Sequence, residues 1–306
     1  MLARPGPFPL WHFSEILNHL TLPDIKDFNA DQAMHPVSGI GEKCFKENHL
    51  SDATEANPMK PFLILQLRPE DEAAEEEFTS LITKSGLDAD QVHRIRLDLE
   101  PLPSDLDLAA YSGVIVGGGP GCVSDPVDRK TPQEARIEAE IMGLMPEITT
   151  RDIPYLGCCY GLGILAHHLG GEVSQHRYGE SIGGVDCTLS DAGVADPLFQ
   201  GLPRVFRALV GHKEAVQEVP PGAVHLAASE ACPIQVIRHG TNVYATQFHP
   251  EANGESFATR IRIYRDKGYF HPDQAEALTA ACLAETITMP ERILRNFVTR
   301  YRRATG

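Results

Sequence analysis

From residue 59 onward the chain predicts an α/β protein: a doubly wound, mostly parallel sheet with helices on both faces. Three observations carry that expectation. Short apolar runs such as Phe62-Leu63-Ile64-Leu65 and Gly113-Val114-Ile115-Val116 recur without alternation, as in strands buried on both faces. Segments of helical spacing separate these runs, which argues for a parallel sheet. Glycine-rich turns at 117–121 and 157–161 follow two of them, where such sheets place their ligand crevice.

Each element has a local reason. Residues 62–67 form the first strand, and Pro69 leads into Glu70-Asp71-Glu72. Those acids suit a helix N-terminus, where the dipole favours anions. That helix runs to about Lys84 and stops at Gly86; its acidic run is a solvated face. Residues 92–99 alternate as a second strand, and 113–116 form a third. Ile137, Ile141, Leu144 and Met145 recur at i, i+4, i+7 and i+8, one face of a helix. Ile153-Pro154-Tyr155-Leu156 is the strand that delivers Gly157-Cys158-Cys159-Tyr160-Gly161, and a helix follows to about Leu169. Shorter strands fill 172–249, including 205–210, 224–228, 233–238 and 243–248. From Ser256 the chain reads as helical to its end, with no internal repeat. The topology expected of this order is flavodoxin-like.

Residues 1–58 read as a largely irregular or peripheral N-terminal extension, because Pro5, Pro7, Pro9, Pro23 and Pro36 interrupt any long element. Two alternatives stand for it: a start at Met59, or a short helix over 10–20 packed on the main domain. Residues 59–306 form one domain.

The 306 residues are 42% apolar and 23% charged, an ordinary globular composition. Acidic residues number 42 against 27 basic ones, a net charge of −15 at pH 7, which a nucleic-acid backbone would repel. The basic tail of Arg292, Arg295, Arg300, Arg302 and Arg303 lies at helical spacing beside Ile293, Leu294 and Phe297 and reads as a solvated helix face. No apolar run is long enough to span a membrane, and the first twenty residues do not resemble a signal peptide. Seven cysteines, an odd number without a CxxC pair, suit reduced thiols in a cytoplasm. Neither a nucleic-acid nor a membrane partner is therefore expected.

A nucleophile at the tip of a sharp strand-to-helix turn needs small residues two places to either side. Cys159 has Gly157 and Gly161 there, whereas Cys158 has Leu156 and Tyr160. Cys159 is therefore the candidate nucleophile, with Cys158 turned into the core. A following helix N-terminus is expected to lower the thiol pKa and to offer N–H groups to a developing oxyanion. In Gln247-Phe248-His249-Pro250-Glu251, Pro250 ends the strand and holds His249 extended, so His249 and Glu251 project to one side. A thiol, a base and a carboxylate that orients the base make a triad. The N–H groups of Gly119 and Tyr160 are the candidate oxyanion hole. Each feature alone has a structural explanation; all of them at element ends is the less ordinary pattern.

Other chemistries fit less well. The 117–121 turn lacks the Gly-Lys-Ser/Thr of a Walker loop. Gly161-x-Gly163-x-x-Ala166 fits a dinucleotide fingerprint but leaves Cys159 and His249 unexplained. No metal site is expected, since His249-x-Glu251 lacks a further ligand at helical spacing and His167 and His168 face different ways. No cofactor is expected either.

Gly117-Gly118-Gly119-Pro120, Leu156-Gly157-Cys158-Cys159-Tyr160-Gly161 and Gln247-Phe248-His249-Pro250-Glu251 together resemble class I (triad) glutamine amidotransferases, above all the amidotransferase portion of GMP synthase. Leu169-Gly170-Gly171-Glu172-Val173, Gly211-His212-Lys213-Glu214-Ala215-Val216 and Cys232-Pro233-Ile234 support the likeness, which covers residues 61–255. The resemblance implies that Cys159 attacks a glutamine side-chain amide and forms a γ-glutamyl thioester. Ammonia then leaves and water releases glutamate. His249 is then base and acid in turn, Glu251 orients it, and Gly119 and Tyr160 hold the oxyanion. Gly118, Gly163, Gly211 and His212 are the implied substrate-binding positions.

Two positions depart from the pattern. Gly163 stands where the family usually has a glutamine that holds the substrate, and Gly211-His212 where it has Ser-His. The expected substrate is thus glutamine or a γ-glutamyl compound, with a separate synthetase as a possible ammonia-accepting partner. The stretch after residue 255 is too short for an ATP-pyrophosphatase domain, so complete GMP synthesis by this chain alone is not expected. A stand-alone γ-glutamyl hydrolase or peptidase, and a non-catalytic binding protein of the same fold, remain as alternatives.

Overall fold

A computed structural model describes residues 59–304; the extension expected over 1–58 lies outside the described residues. Strand β1 (Phe62–Gln66) is buried along its whole length. Leu63 and Leu65 enter one core, Phe62 and Ile64 the other, because successive side chains of a strand point to opposite faces. Helix α1 (Asp71–Ser85) carries Asp71 and Glu72 in its first turn. It ends at Gly86, whose φ of 74° is left-handed and whose N–H donates to the Ile82 carbonyl; glycine takes that conformation without steric cost. Strand β2 (Val92–Arg96) is shorter than the alternation over 92–99 suggests, and Leu99 beyond it is 69% exposed.

Strand β3 (Gly113–Val116) precedes α2 (Pro132–Thr150). A reciprocal capping box starts that helix: Thr131 Oγ1 accepts from the Glu134 N–H, and Glu134 Oε2 accepts from the Thr131 N–H. Next come β4 (Tyr155–Cys158), α3 (Tyr160–His168), the two-residue β5 (Val173–Ser174) and β6 (Glu180–Leu189). Strand β6 is the one long element that the sequence pattern did not reveal. Its centre is half-exposed, it contains Gly183 and Gly184, and its register shifts after Glu180, so no regular periodicity marks it.

The chain continues through α4 (Asp191–Ala195), β7 (Val205–His212), β8 (Ala215–Val216), β9 (Ala223–Ala228), β10 (Val236–His239) and β11 (Val243–Thr246). Three helices follow, α5 (Gly254–Tyr264), α6 (Ala275–Ala284) and α7 (Pro290–Tyr301). The C-terminal region is therefore not continuously helical, since 265–274 and 285–289 interrupt it. In α7, Ile293, Leu294 and Phe297 are fully buried while Arg292, Arg295 and Arg300 are exposed. The ring of Phe297 packs 6.1 Å from Phe62 and 4.9 Å from Tyr301; truncating so enclosed a ring costs about 3–5 kcal/mol.

Nine strands form one sheet in the order β2-β1-β3-β4-β11-β10-β9-β6-β7. The pairs β2-β1, β1-β3, β3-β4 and β4-β11 are parallel, which is the flavodoxin-like half of a doubly wound sheet. The pairs from β11 to β7 are antiparallel. Helices α2 and α3 cover the face of Leu63 and Val114, and α1 and α7 cover the face of Phe62 and Ile115. The register then decides what meets at the carboxyl edge. Cys158 pairs with Thr246 and Gly157 with Val116, so the segments after β3, β4 and β11 emerge side by side.

Candidate active site

Cys159 stands between β4 and α3, at the N-cap of the helix, with φ 51° and ψ −92°. A non-glycine residue so placed stores roughly 1–3 kcal/mol of backbone strain. Its N–H donates to the Thr246 carbonyl at 2.7 Å, and its own carbonyl accepts from Leu162 N–H at 2.9 Å, which pins the turn on both sides. The turn is also closed to side chains. A Cβ on Gly157 would stand 2.6 Å from the Tyr155 hydroxyl and 2.8 Å from the backbone carbon of Gly161. Cys158 is fully buried, whereas Cys159 is partly open.

Cys159 and His249 line one small cavity of about 50 Å³, together with Arg68, Gly119, Gly211, Arg260 and Tyr269. His249 Nδ1 lies 2.8 Å from Glu251 Oε1. A carboxylate accepts, so Nδ1 carries the hydrogen and Nε2 keeps its lone pair. Glu251 is almost wholly buried and its Oε1 also accepts from Arg260 Nη2 at 2.9 Å. Desolvation favours the neutral form of Glu251, but the charges of His249 and Arg260 outweigh it and hold the carboxyl well below its usual range. Burial pushes the His249 imidazole below its ordinary value; Glu251 opposes this and Arg260 and Arg68 add to it.

The thiol corrects one expectation. Desolvation pushes Cys159 up to about 12, against the pull of Arg68 and Arg260. Enclosure therefore favours the neutral thiol, and the resting pair is a neutral thiol and a neutral imidazole. Gln247, nearly buried, directs Nε2 toward Cys159 Sγ at 3.7 Å.

The other sequence candidates separate into two groups. Gly119, Tyr160, Gly163, Gly211 and His212 line a second recess, of about 30 Å³, that also contains Cys159, Glu214 and Gln247. Tyr160 is the first residue of α3, so its N–H has no carbonyl four residues back in the helix. Gly118 is not at the recess wall. A Cβ there would stand 2.5 Å from His249 Cε1 and 2.9 Å from Arg68 Nη2, so this glycine makes room for the imidazole and for an arginine. The His212 side chain is also engaged, with Nδ1 2.8 Å from the Glu214 carbonyl and Nε2 2.9 Å from Glu180 Oε2.

Gly163 faces a carboxylate. A Cβ on Gly163 would lie 3.0 Å from Glu214 Oε1. That carboxylate is buried and accepts from Val123 N–H at 2.9 Å, from Ser124 N–H at 2.9 Å and from Ser124 Oγ at 2.7 Å. A fixed acid from another loop thus stands against Gly163.

Sequence reasoning assigned no role to Glu214, Arg68, Arg260 or Tyr269. Tyr269 lies between α5 and α6, lines both recesses, and donates its hydroxyl to the Pro120 carbonyl. Across Gly119, Gly121 and Tyr160 a larger cavity of about 300 Å³ opens, which Tyr269 and Lys213 also line. For a metal, the one group among the described residues with ligand atoms mutually within 4.8 Å is Glu180, His212 and Cys232. Its carboxylate already accepts from Ser229 Oγ at 2.7 Å and Gln235 Nε2 at 2.5 Å, which makes it a closed hydrogen-bond network.

A model of the family described as "Glutamine amidotransferase class-I" matches residues 74–263. The chain is 32% identical over 172 residues to a glutamine-hydrolyzing GMP synthase subunit from Natronomonas pharaonis, covering 56% of this chain and 81% of that one. To the glutamine-hydrolyzing GMP synthase of Thermosipho melanesiensis it is 34% identical over 155 residues, 49% of this chain but only 26% of that protein. The match thus spans about a quarter of that longer relative. Among solved structures, a glutamine amidotransferase from Methylobacillus flagellatus superposes with a TM-score of 0.64 at 21% identity, over 81% of this chain and 98% of that one. One from Thermotoga maritima gives 0.60 at 21% identity, over 79% and 98%. These two likenesses concern the fold.

Proposed function

The chain belongs to the class-I glutamine amidotransferase family, and from that premise we propose that it hydrolyses a γ-carboxamide through a thioester on Cys159. One observation carries this reading: Cys159 and His249 line a single cavity, and Glu251 fixes His249 with Nε2 free to accept a proton. His249 Nε2 takes the thiol proton as sulfur attacks the amide carbon, which answers the neutral resting pair. The N–H groups of Gly119 and Tyr160 receive the oxyanion, where one donor is worth about 10²–10³ in rate. His249 then gives its proton to the departing nitrogen, and the C–N bond breaks to leave the thioester. Water, deprotonated by the same Nε2, attacks the thioester; the C–S bond breaks and the thiol is restored.

Two readings of the substrate follow. With glutamine the nitrogen leaves as ammonia. The names of the relatives, which are GMP synthases and their subunits, support a separate synthetase as its acceptor. A γ-glutamyl compound with a larger amine is favoured by the adjoining cavity of about 300 Å³, which has room for more than ammonia. Six free thiols among the described residues support a cytoplasmic location for either. Incubation with glutamine and with γ-glutamyl peptides, reading ammonia, glutamate and free amine, decides between them. Turnover of neither, with no labelling of Cys159 by a glutamine-mimicking electrophile, would leave a non-catalytic binding protein.

A further inference from the structure

We propose that Tyr269 is a gate between Cys159 and the outer cavity, and that its ring sets how large a leaving amine the site releases. The size selection rests on the hydrolytic reading above, whereas the gate stands without it. Three cavities meet at this residue. The recess of about 30 Å³ and the cavity of about 50 Å³ both reach Cys159; the one of about 300 Å³ does not. Among the described residues, Gly119 and Tyr269 alone line all three. Gly119 has no side chain to move, and a Cβ there would stand 3.1 Å from Leu67 Cβ. The movable part of the common wall is therefore the phenol of Tyr269.

The two inner spaces have room for a few water molecules, too little for a γ-glutamyl group with its amine. The outer cavity has the size of a small-ligand site. A molecule that reaches the sulfur from there passes the Tyr269 ring. What holds that ring is slight and local. Its hydroxyl donates to the Pro120 carbonyl, the one hydrogen bond of Tyr269 among the described residues. Lys213 Nζ stands 4.3 Å from the ring centroid, and the Tyr264 ring 5.5 Å away. Residues 265–271 belong to no helix or strand. Gly268, just before the gate, has φ 76°, and a Cβ on it would meet nothing within 4 Å, so the backbone there can adjust without a clash. Pro120 follows Gly119 directly, so the closed gate is tied to the turn that offers the candidate oxyanion donor.

The test reads access to the sulfur, so that it does not depend on turnover. Wild-type, Tyr269→Phe and Tyr269→Ala proteins are treated with iodoacetamide and with the bulky 5-iodoacetamidofluorescein, and mass spectrometry follows labelling at each cysteine. In both reactions sulfur displaces iodide and the thiol proton goes to solvent, so a change in thiol acidity cancels in the ratio of the two rates at Cys159. Tyr269→Phe loses only the bond to Pro120 and should raise the bulky-to-small ratio about two- to tenfold. Tyr269→Ala should raise it further. Cys158, fully buried beside it, should stay unlabelled in all three proteins. A ratio that stays at the wild-type value in both variants, or labelling of Cys158 along with Cys159, would overturn the gate. If Tyr269→Ala does not fold, the Tyr269→Phe ratio decides. With substrates, kcat/KM for γ-glutamyl peptides relative to glutamine should rise in the same order; a raised labelling ratio without that rise would overturn the size selection. Turnover of neither substrate by the wild-type chain, with labelling as expected, would strike at the hydrolytic reading and leave the gate standing.

Discussion

Gly118 lies against the imidazole of His249: a methyl group there would stand 2.5 Å from Cε1. The glycine-rich turn at 117–121 thus sets the position of the base. Gly118→Ala should displace the ring by a fraction of an ångström to an ångström, and misplacements of that size cost about 10²-fold in rate. Steady-state kinetics should register this loss while the far-ultraviolet spectrum stays native. Unchanged kcat/KM would mean that the ring is not held from this side.

Adjacent thiols should behave oppositely. Cys159→Ser should abolish turnover. Cys158→Ser should keep most of it, at a stability cost of about 1–3 kcal/mol for burying a hydroxyl in place of the sulfur. Ammonia release and thermal melts on both proteins check this, and activity in the Cys159→Ser protein would remove the assignment.

Acid and base limbs follow from the two shifted groups. An imidazole is useful as a base only when neutral, and His249 titrates below its ordinary value of about 6.5. Log kcat/KM should therefore stay level through pH 6.5 on acidification and fall only lower, provided the fold persists. Cys159, pushed up to about 12, should react with iodoacetamide at a rate still rising above about pH 10, where an ordinary thiol has levelled. A plateau near the ordinary thiol pKa of about 8.5 would show the helix N-terminus prevailing over enclosure.

Arg260 donates to Glu251 Oε1 at 2.9 Å and lowers the His249 pKa. Arg260→Leu removes one partner of a buried ion pair, which costs about 3–5 kcal/mol. Its second effect has a definite sign: without that positive charge His249 holds its proton to higher pH, so the acid limb of the rate profile should move up. Denaturant titration and a pH–rate series read the two effects separately.

Gly163→Gln should not improve the use of glutamine. The first atom of the new side chain would meet Glu214 Oε1 at 3.0 Å, and three hydrogen bonds hold that oxygen's carboxylate in place. A fall in kcat/KM with a lowered melting temperature is expected; a gain in glutamine turnover would show that Glu214 yields easily.

What the sequence determined by itself was local. Cys159 between Gly157 and Gly161, the glycines of 117–121, and His249 two residues from Glu251 are readable because strand ends and tight turns impose residue types on their immediate neighbours. Buried strands such as Phe62–Gln66 are readable for the same reason, since burial on both faces leaves an unbroken apolar run. Strand Glu180–Leu189, with its paired glycines and half-exposed centre, imposes no such pattern. The tertiary structure decided the rest. Arg260 reaches Glu251 from a later helix, Glu214 stands beside Gly163 from another loop, and Tyr269 joins Cys159 in one cavity from beyond α5. It also reversed the direction of the thiol shift. Desolvation and charge depend on everything within several ångströms of an atom, and those neighbours are assembled by packing, not by adjacency along the chain.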